Sequence, residues 1–423
     1  MTRLFNEPSS FADEMIEGFV AASGRWVRAV PGGVARSTRA PQGQVAVVIG
    51  GGSGHYPAFG GLVGTGLAHA AAMGNVFASP SAHQVHSVAK AADNGGGVLL
   101  AYGNYAGDVM NFGQAQDRLV GEGIACESVA VTDDISSAPI GEEHKRRGVA
   151  GDLAVFKMAA AAAEEGYSLQ EVARVARAAN SRTRSFGVAF GGCTLPGAEA
   201  PLFTVPEGRM AVGLGIHGEA GIDEVAVPTA DGLAELLVAA LLAELPAEVG
   251  QARGNRAAVI LNGLGSVKYE ELFVVYRRIS ALLGDAGVEV VEPEVGEFCT
   301  SFDMAGVSLT LSWLDDELER FWRAPADTSA YRKGTVVQAG RYETAPAVVA
   351  DEPLAVPDAD EESRAAAGTV LGVLHAIATV IDENAEELGR IDAVAGDGDH
   401  GIGMQRGATA ALEAGRAAHA HGA

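Results

Sequence analysis

Cysteine is scarce in this chain. The three that occur in 423 residues, Cys126, Cys193 and Cys299, lie far apart with no C-x-x-C pair. That spacing excludes a disulfide framework and a zinc ribbon, and it fits a reducing cytoplasm. Basic residues are outnumbered, 30 Lys and Arg against 54 Asp and Glu, for a net charge of −24. Such a balance argues against phosphate-backbone binding and anionic lipid, so neither nucleic acid nor membrane is expected as a partner. The N-terminus, MTRLFNEPSS, has no apolar run of the kind that secretion signals carry. The longest helical apolar stretch, 370–381, is broken by His375 and Thr379 and is too short by itself to span a bilayer. No Gly-Lys dipeptide occurs anywhere, which removes a Walker A loop.

What is present is 48% hydrophobic residues and 56 glycines. The length suggests two or three domains with well-buried cores. The stretch VGLGIHGEAG, 212–221, sets His217 between glycines at the end of an apolar run, with an acid two residues on. Glycines at 213, 215 and 218 let the backbone turn sharply, so the imidazole is expected to be displayed rather than packed.

Along the chain, a helix over 10–23 precedes a strand over 45–49 that runs into Gly50-Gly51-Gly52-Ser53-Gly54-His55. A strand, a glycine loop and a helix can place backbone amides around an oxygen-rich ligand. The glycine spacing of this loop does not match G-x-G-x-x-G, which argues against a dinucleotide-binding oxidoreductase. A second strand, 97–102, ends in Gly103-Asn104-Tyr105-Ala106-Gly107-Asp108. Asp108 either caps the next helix or stands at a ligand site beyond the strand end. A third strand, 127–132, ends in Asp133-Asp134 and is followed by helices over 153–165 and 169–180. This alternation predicts an α/β domain with a mainly parallel sheet. A second α/β unit begins near Ser185, and residues 341–363, rich in Pro, Ala and acids, read as a linker.

After the linker an amphipathic helix from 363 to 388 leads to IDAVAGDGDHG and a last helix. Asp392, Asp397 and Asp399 put three carboxylates within eight residues, an arrangement that a cation would stabilise. An EF-hand is excluded, because the twelfth position counted from Asp397 is Ala408. A magnesium site shared with nucleotide phosphates and a solvated helix-capping turn both remain open.

Four segments in order resemble the dihydroxyacetone kinase family: GGGSGH at 50–55, NYAGDVMNF at 104–112, GLGIHGE at 213–219 and GDGDHG at 396–401. The resemblance implies a substrate domain over 1–340 made of two α/β subdomains, about 1–182 and 183–340. It further implies a linker over 341–363 and, over 364–423, the N-terminal part of an all-α nucleotide-binding domain that holds ATP and Mg2+. His217 then looks like the histidine that forms a covalent hemiaminal with a ketose carbonyl. His55 and Asp108 match the polar residues beside that substrate, either of them accepting the proton of the attacking hydroxyl. Gly52, Ser53 and Gly54 would give close contacts, and Asp392, Asp397 and Asp399 match the magnesium carboxylates. The implied activity is ATP-dependent phosphorylation of the terminal hydroxyl of dihydroxyacetone or erythrulose by a cytoplasmic homodimer. The alternative is a ketose-binding regulatory or phosphate-accepting subunit without its own ATP turnover.

Two stretches depart from the family pattern. The run His55-Tyr56-Pro57-Ala58-Phe59 stands where the family usually has GHEPAH, and Gly103 stands where it usually has a substrate-touching Lys. Loss of the lysine is expected to open space for a longer ketose. The roughly 60 residues after the linker are also fewer than a helical nucleotide domain needs. A chain ending at Ala423 is expected to bind substrate without turnover.

Overall fold

A computed structural model describes residues 4–337, 340, 360–392 and 400–420. Contacts divide the chain into two compact units, Met1–Ala345 and Pro346–Ala423.

The first unit is built on two sheets. One runs in the order Val27–Val30, Gly33–Arg36, Ala70–Gly74, Ala46–Gly52, Val98–Gly103, Cys126–Val131. Its last four strands are parallel, as the strand and helix alternation predicts. The hairpin Val27–Val30 and Gly33–Arg36 adds an antiparallel edge, in a stretch expected to be a connection. The strand Ala70–Gly74 was not expected either, since Ala-Ala-Ala-Met has little β-propensity; full burial holds it there.

The second α/β unit, expected from near Ser185, has a sheet that pairs differently from the first. Its order is Asp223–Ala226, Arg209–Val212, Thr183–Ala189, Gly306–Leu314, Arg256–Gly263, and the pairings along that path are antiparallel. Among the described strands of this sheet, Glu289–Val290 and Glu294–Gly296 pair in parallel with Arg256–Gly263. The reason is connection type: no helix separates Thr183–Ala189, Arg209–Val212 and Asp223–Ala226, and parallel strands need a crossover.

Between the sheets lies the helix Gly151–Glu164, buried at every position from Gly151 to Ala163. Its five consecutive alanines, 159–163, allow close approach of both sheets, and one apolar core contains Ile49 and Leu99 from one side and Ile260 from the other. The ends of the two sheets meet at the glycine loop. There Ala58 N–H donates to Phe298 O (3.0 Å), Thr300 N–H to His55 O (3.1 Å) and Phe302 N–H to Gly54 O (3.1 Å). A small third sheet joins Ala326–Thr328 to Gly64–Thr65, and Trp26 Nε1 donates to Asp327 Oδ1 at 3.0 Å.

The second unit contains two described helices, Glu361–Asp392 and His400–Ala420, packed together where Gly401 meets the Ala385 carbonyl and Gly415 meets Leu374. Val370, Val373, Ile377 and Val380 form an exposed apolar stripe on the first. That helix is long and apolar enough to cross a membrane by length and composition, which the broken run 370–381 did not suggest. The difference arises because small and apolar residues flank that run within one continuous helix.

Candidate active site

The strand Ala46–Gly52 delivers its chain into the buried turn Ser53–His55. His55 Nδ1 donates to the Thr300 carbonyl at 2.7 Å, which assigns the tautomer and turns the Nε2 lone pair outward. That atom faces His217 Nε2 at 2.9 Å. Burial, and then the charge of His217, push His55 down to about 3, so its ring is neutral at physiological pH.

His217 sits on the loop between Arg209–Val212 and Asp223–Ala226, where Gly213 (φ +73°) and Gly218 (φ +90°) occupy backbone conformations that L side chains rarely adopt. The expectation of a displayed imidazole fails: the side chain is only 6% exposed. Tyr105 packs edge-on against it (4.6 Å, 88°), Phe77 does the same (5.2 Å), and Phe77 also stacks on His55 (5.0 Å, 13°). The glycines serve convergence instead. A Cβ at Gly215 would overlap Glu219 and Arg147, whose side chains meet at that point.

Glu219 holds His217 twice, accepting from its backbone N–H (2.9 Å) and facing its Nδ1 (3.1 Å). Burial alone would raise the Glu219 carboxyl, but His217 and then Arg147 outweigh it and hold it at about 2. Both rings therefore commit Nδ1–H to an acceptor, and an Nε2 to Nε2 contact at 2.9 Å holds only with one further proton between them. That proton gives the pair one positive charge, which Glu219 balances.

Asp108 lies in the first turn of the helix Ala106–Gly121 and is 8% exposed. It is not the cap, a position held by Tyr105. Instead it accepts from Ser79 Oγ at 2.7 Å, and Ser79 Oγ accepts from Asn111 Nδ2 at 3.2 Å. Asp108 is thus tied to the same two segments, around Phe77 and Tyr105, that enclose the histidines. Ser53 and Gly54 have their amides engaged by the carbonyls of Asn75 (3.1 Å) and Val76 (2.6 Å), so the loop does not present a ring of free N–H groups. Ser53 Oγ is a buried polar atom there without a hydrogen-bond partner among the described residues. Gly52 lacks room for a Cβ against the Val76 carbonyl, which explains the residue without a ligand. Space at Gly103 is not open either: a Cβ there would stand 3.1 Å from the Tyr105 ring.

Of the three clustered aspartates, Asp392 ends its helix and its Oδ2 lies 3.4 Å from the His400 amide. Asp397 and Asp399 lie outside the described residues. Sequence reasoning did not single out Tyr105, Phe77, Ser79, Arg147 or Thr300. Tyr105 was in plain view within NYAGDVMNF, whereas Ser79 follows a strand whose composition hid it.

A Dak1 domain profile matches residues 17–330. An L-erythrulose kinase of Pectobacterium atrosepticum is 65% identical over 98% of this chain and 70% of its own length. The chain belongs to the dihydroxyacetone kinase family. A D-erythrulose kinase of Mycolicibacterium smegmatis is 57% identical over 100% of the chain and 73% of its own length. Among solved structures, the dihydroxyacetone kinase of C. freundii in complex with AMP-PNP and Mg2+ matches with a TM-score of 0.70 at 30% identity, covering 99% of this chain and 75% of that one. This is a family of phosphotransferases with alcohol acceptors, and the paired histidines lie within its matched region.

Proposed function

We propose that this protein phosphorylates the terminal hydroxyl of a short ketose, erythrulose before dihydroxyacetone, held as a hemiaminal on His217. The observation that carries the reading is the pair His55 and His217, whose Nε2 atoms face each other at 2.9 Å inside an aromatic enclosure, with Asp108 tied to the same walls. Preference for the four-carbon sugar rests on the two erythrulose kinase relatives, and not on vacant space at Gly103.

The chemistry follows from the tautomers. The shared proton shifts to His55 Nε2 and frees the lone pair of His217 Nε2. That lone pair adds to the ketose carbonyl carbon, forming a C–N bond as the C=O π bond breaks. The carbonyl oxygen takes the proton back from His55, leaving a carbinol, a neutral His55 and an imidazolium beside Glu219. Charge is conserved throughout, and polyols without a carbonyl cannot be captured. The anchored sugar then presents a terminal hydroxyl whose proton passes to Asp108 or His55 as its oxygen becomes the nucleophile towards phosphorus.

Asp392, Asp397 and Asp399 are the donor set that suits Mg2+ with a nucleotide, since three carboxylates close in sequence favour a hard cation with oxygen ligands. When bound, the ion neutralises phosphate charge during transfer. In this reading residues 1–340 form the ketose domain, 341–363 the linker and 364–423 the start of the nucleotide domain. The protein works in the cytoplasm, as its three buried free cysteines suit, and as a homodimer through the ketose domain.

Intact-protein mass spectrometry after incubation with dihydroxyacetone, L-erythrulose and D-erythrulose tests the anchor. A reversible gain of one ketose, absent in His217→Ala, is expected, with erythrulose giving the higher occupancy. No adduct with any of the three sugars overturns the mechanism. Adduct formation with no phosphoryl transfer from Mg-ATP in any assembled form would favour the regulatory alternative.

A further inference from the structure

Arg147 is built into the support of His217 through Glu219. It leaves the loop before the central helix and reaches across to the 213–219 loop of the second sheet. Its Nη2 lies 2.9 Å from Asp134 Oδ2, its Nε donates to the same oxygen at 3.1 Å, and its Nη1 stands 3.6 Å from Glu219 Oε2. Ser136 Oγ and Arg147 Nη2 both point at the Gly213 carbonyl, at 3.0 and 3.5 Å. All three charged side chains are largely buried, at 13%, 5% and 14% exposure, so their interactions are weakly screened.

The charge count gives this arrangement a consequence. Facing His217 are the carboxylate of Glu219, the neutral ring of His55 and the phenol of Tyr105, with the Cys299 thiol beyond Tyr105; behind Glu219 stand the guanidinium of Arg147 and the carboxylate of Asp134 that pairs with it. With Arg147 present the two carboxylates are half compensated, and one negative charge remains to offset one imidazolium. Without it, two would act on His217 and hold the shared proton on that ring. A protonated Nε2 has no lone pair to add to a carbonyl.

We infer that Arg147 is a positioning residue that sets where the proton rests in the His55 and His217 pair, keeping His217 Nε2 available as the nucleophile. The inference rests on the ketose-anchoring reading above, but its first test does not need a ketose. Asp134 is the counterweight: neutralising it strengthens the hold of Arg147 on Glu219 and weakens the negative field at His217. Arg147→Met and Asp134→Asn therefore act with opposite sign, whereas mere loosening of the loop would act with the same sign in both.

The experiment is an NMR pH titration of the His217 ring in the free protein, followed by adduct occupancy with L- and D-erythrulose between pH 5.5 and 9. Arg147→Met is expected to raise the His217 titration and the acid limb of adduct formation by about one pH unit, the lower end of what one nearby charge does. Asp134→Asn is expected to lower both, and Arg147→Lys to stay near the parent. Loss of adduct that is equal at every pH, or shifts of the same sign in the two variants, overturns the inference. If the His217 titration moves as expected while the parent protein forms no adduct, the ketose reading fails and the proton-setting role of Arg147 stands. Should Arg147→Met not fold, Asp134→Asn and Arg147→Lys alone decide it through the sign and the absence of a shift.

Discussion

At His217 one ring must be held still and yet keep one nitrogen reactive, and Glu219 performs the first task through two hydrogen bonds. Glu219→Gln keeps the shape but removes the charge that balances the imidazolium of the adduct. We expect kcat to fall by about 10²-fold, the lower range for a lost acid or base function, with adduct occupancy reduced in parallel in the mass spectrum. Asp108→Asn should behave differently: adduct formation stays near the parent level while phosphoryl transfer falls by about 10²-fold or more, if Asp108 takes the hydroxyl proton. Undiminished transfer in that variant would assign the proton to His55. His217, His55 and Asp108 were legible from sequence because each follows an apolar strand and a glycine-rich turn. Arg147 was not, because its role is fixed by a Cβ-free point at Gly215 nearly seventy residues away, which no local pattern announces.

Among the elements, the loop 213–219 uses glycine for conformation beside the candidate site. Gly218 has φ +90°, and a Cβ there would strike the Phe203 ring. Gly218→Ala is expected to lower stability by about 1–2 kcal/mol from backbone strain, and by more if Phe203 cannot yield. A urea titration checks the first effect and ketose adduct occupancy the second. Helices and apolar strands were readable from the sequence, as at Leu169–Ser181 and Val98–Gly103. The direction of pairing in the second sheet was not, since alternating apolar patterns look alike in parallel and antiparallel strands until the connections are known. The strand Ala70–Gly74 escaped because burial, which is set by the whole fold, overrode its weak propensity.

For the whole molecule, the central helix places Lys157 fully inside the core, where Nζ donates to the Phe321 carbonyl at 2.9 Å. Burial, and then the charge of Lys333, lower it from 10.5 to about 7. The folded protein therefore binds fewer protons than the unfolded chain between those values, and stability rises with pH across that window. Set against Lys157→Met, whose curve lacks this contribution, the parent should gain up to about 1.4 kcal/mol per pH unit between about 7 and 10.5. Urea titrations at pH 6.5, 8 and 9.5 measure it, and parallel curves for the two proteins would refute it.

The pairing of Ala326–Thr328 with Gly64–Thr65 has a consequence for biosynthesis. An early strand of the nascent chain waits for a partner made some 260 residues later, and the glycine loop likewise waits for Phe298 and Thr300. Contacts of such separation form late and slowly. On the ribosome, the half that carries His55 is thus a dependant of the half that carries His217. A stalled chain released before Ala326 should remain protease-sensitive however long it is given, while one extended beyond Lys333 should acquire resistance in a single step.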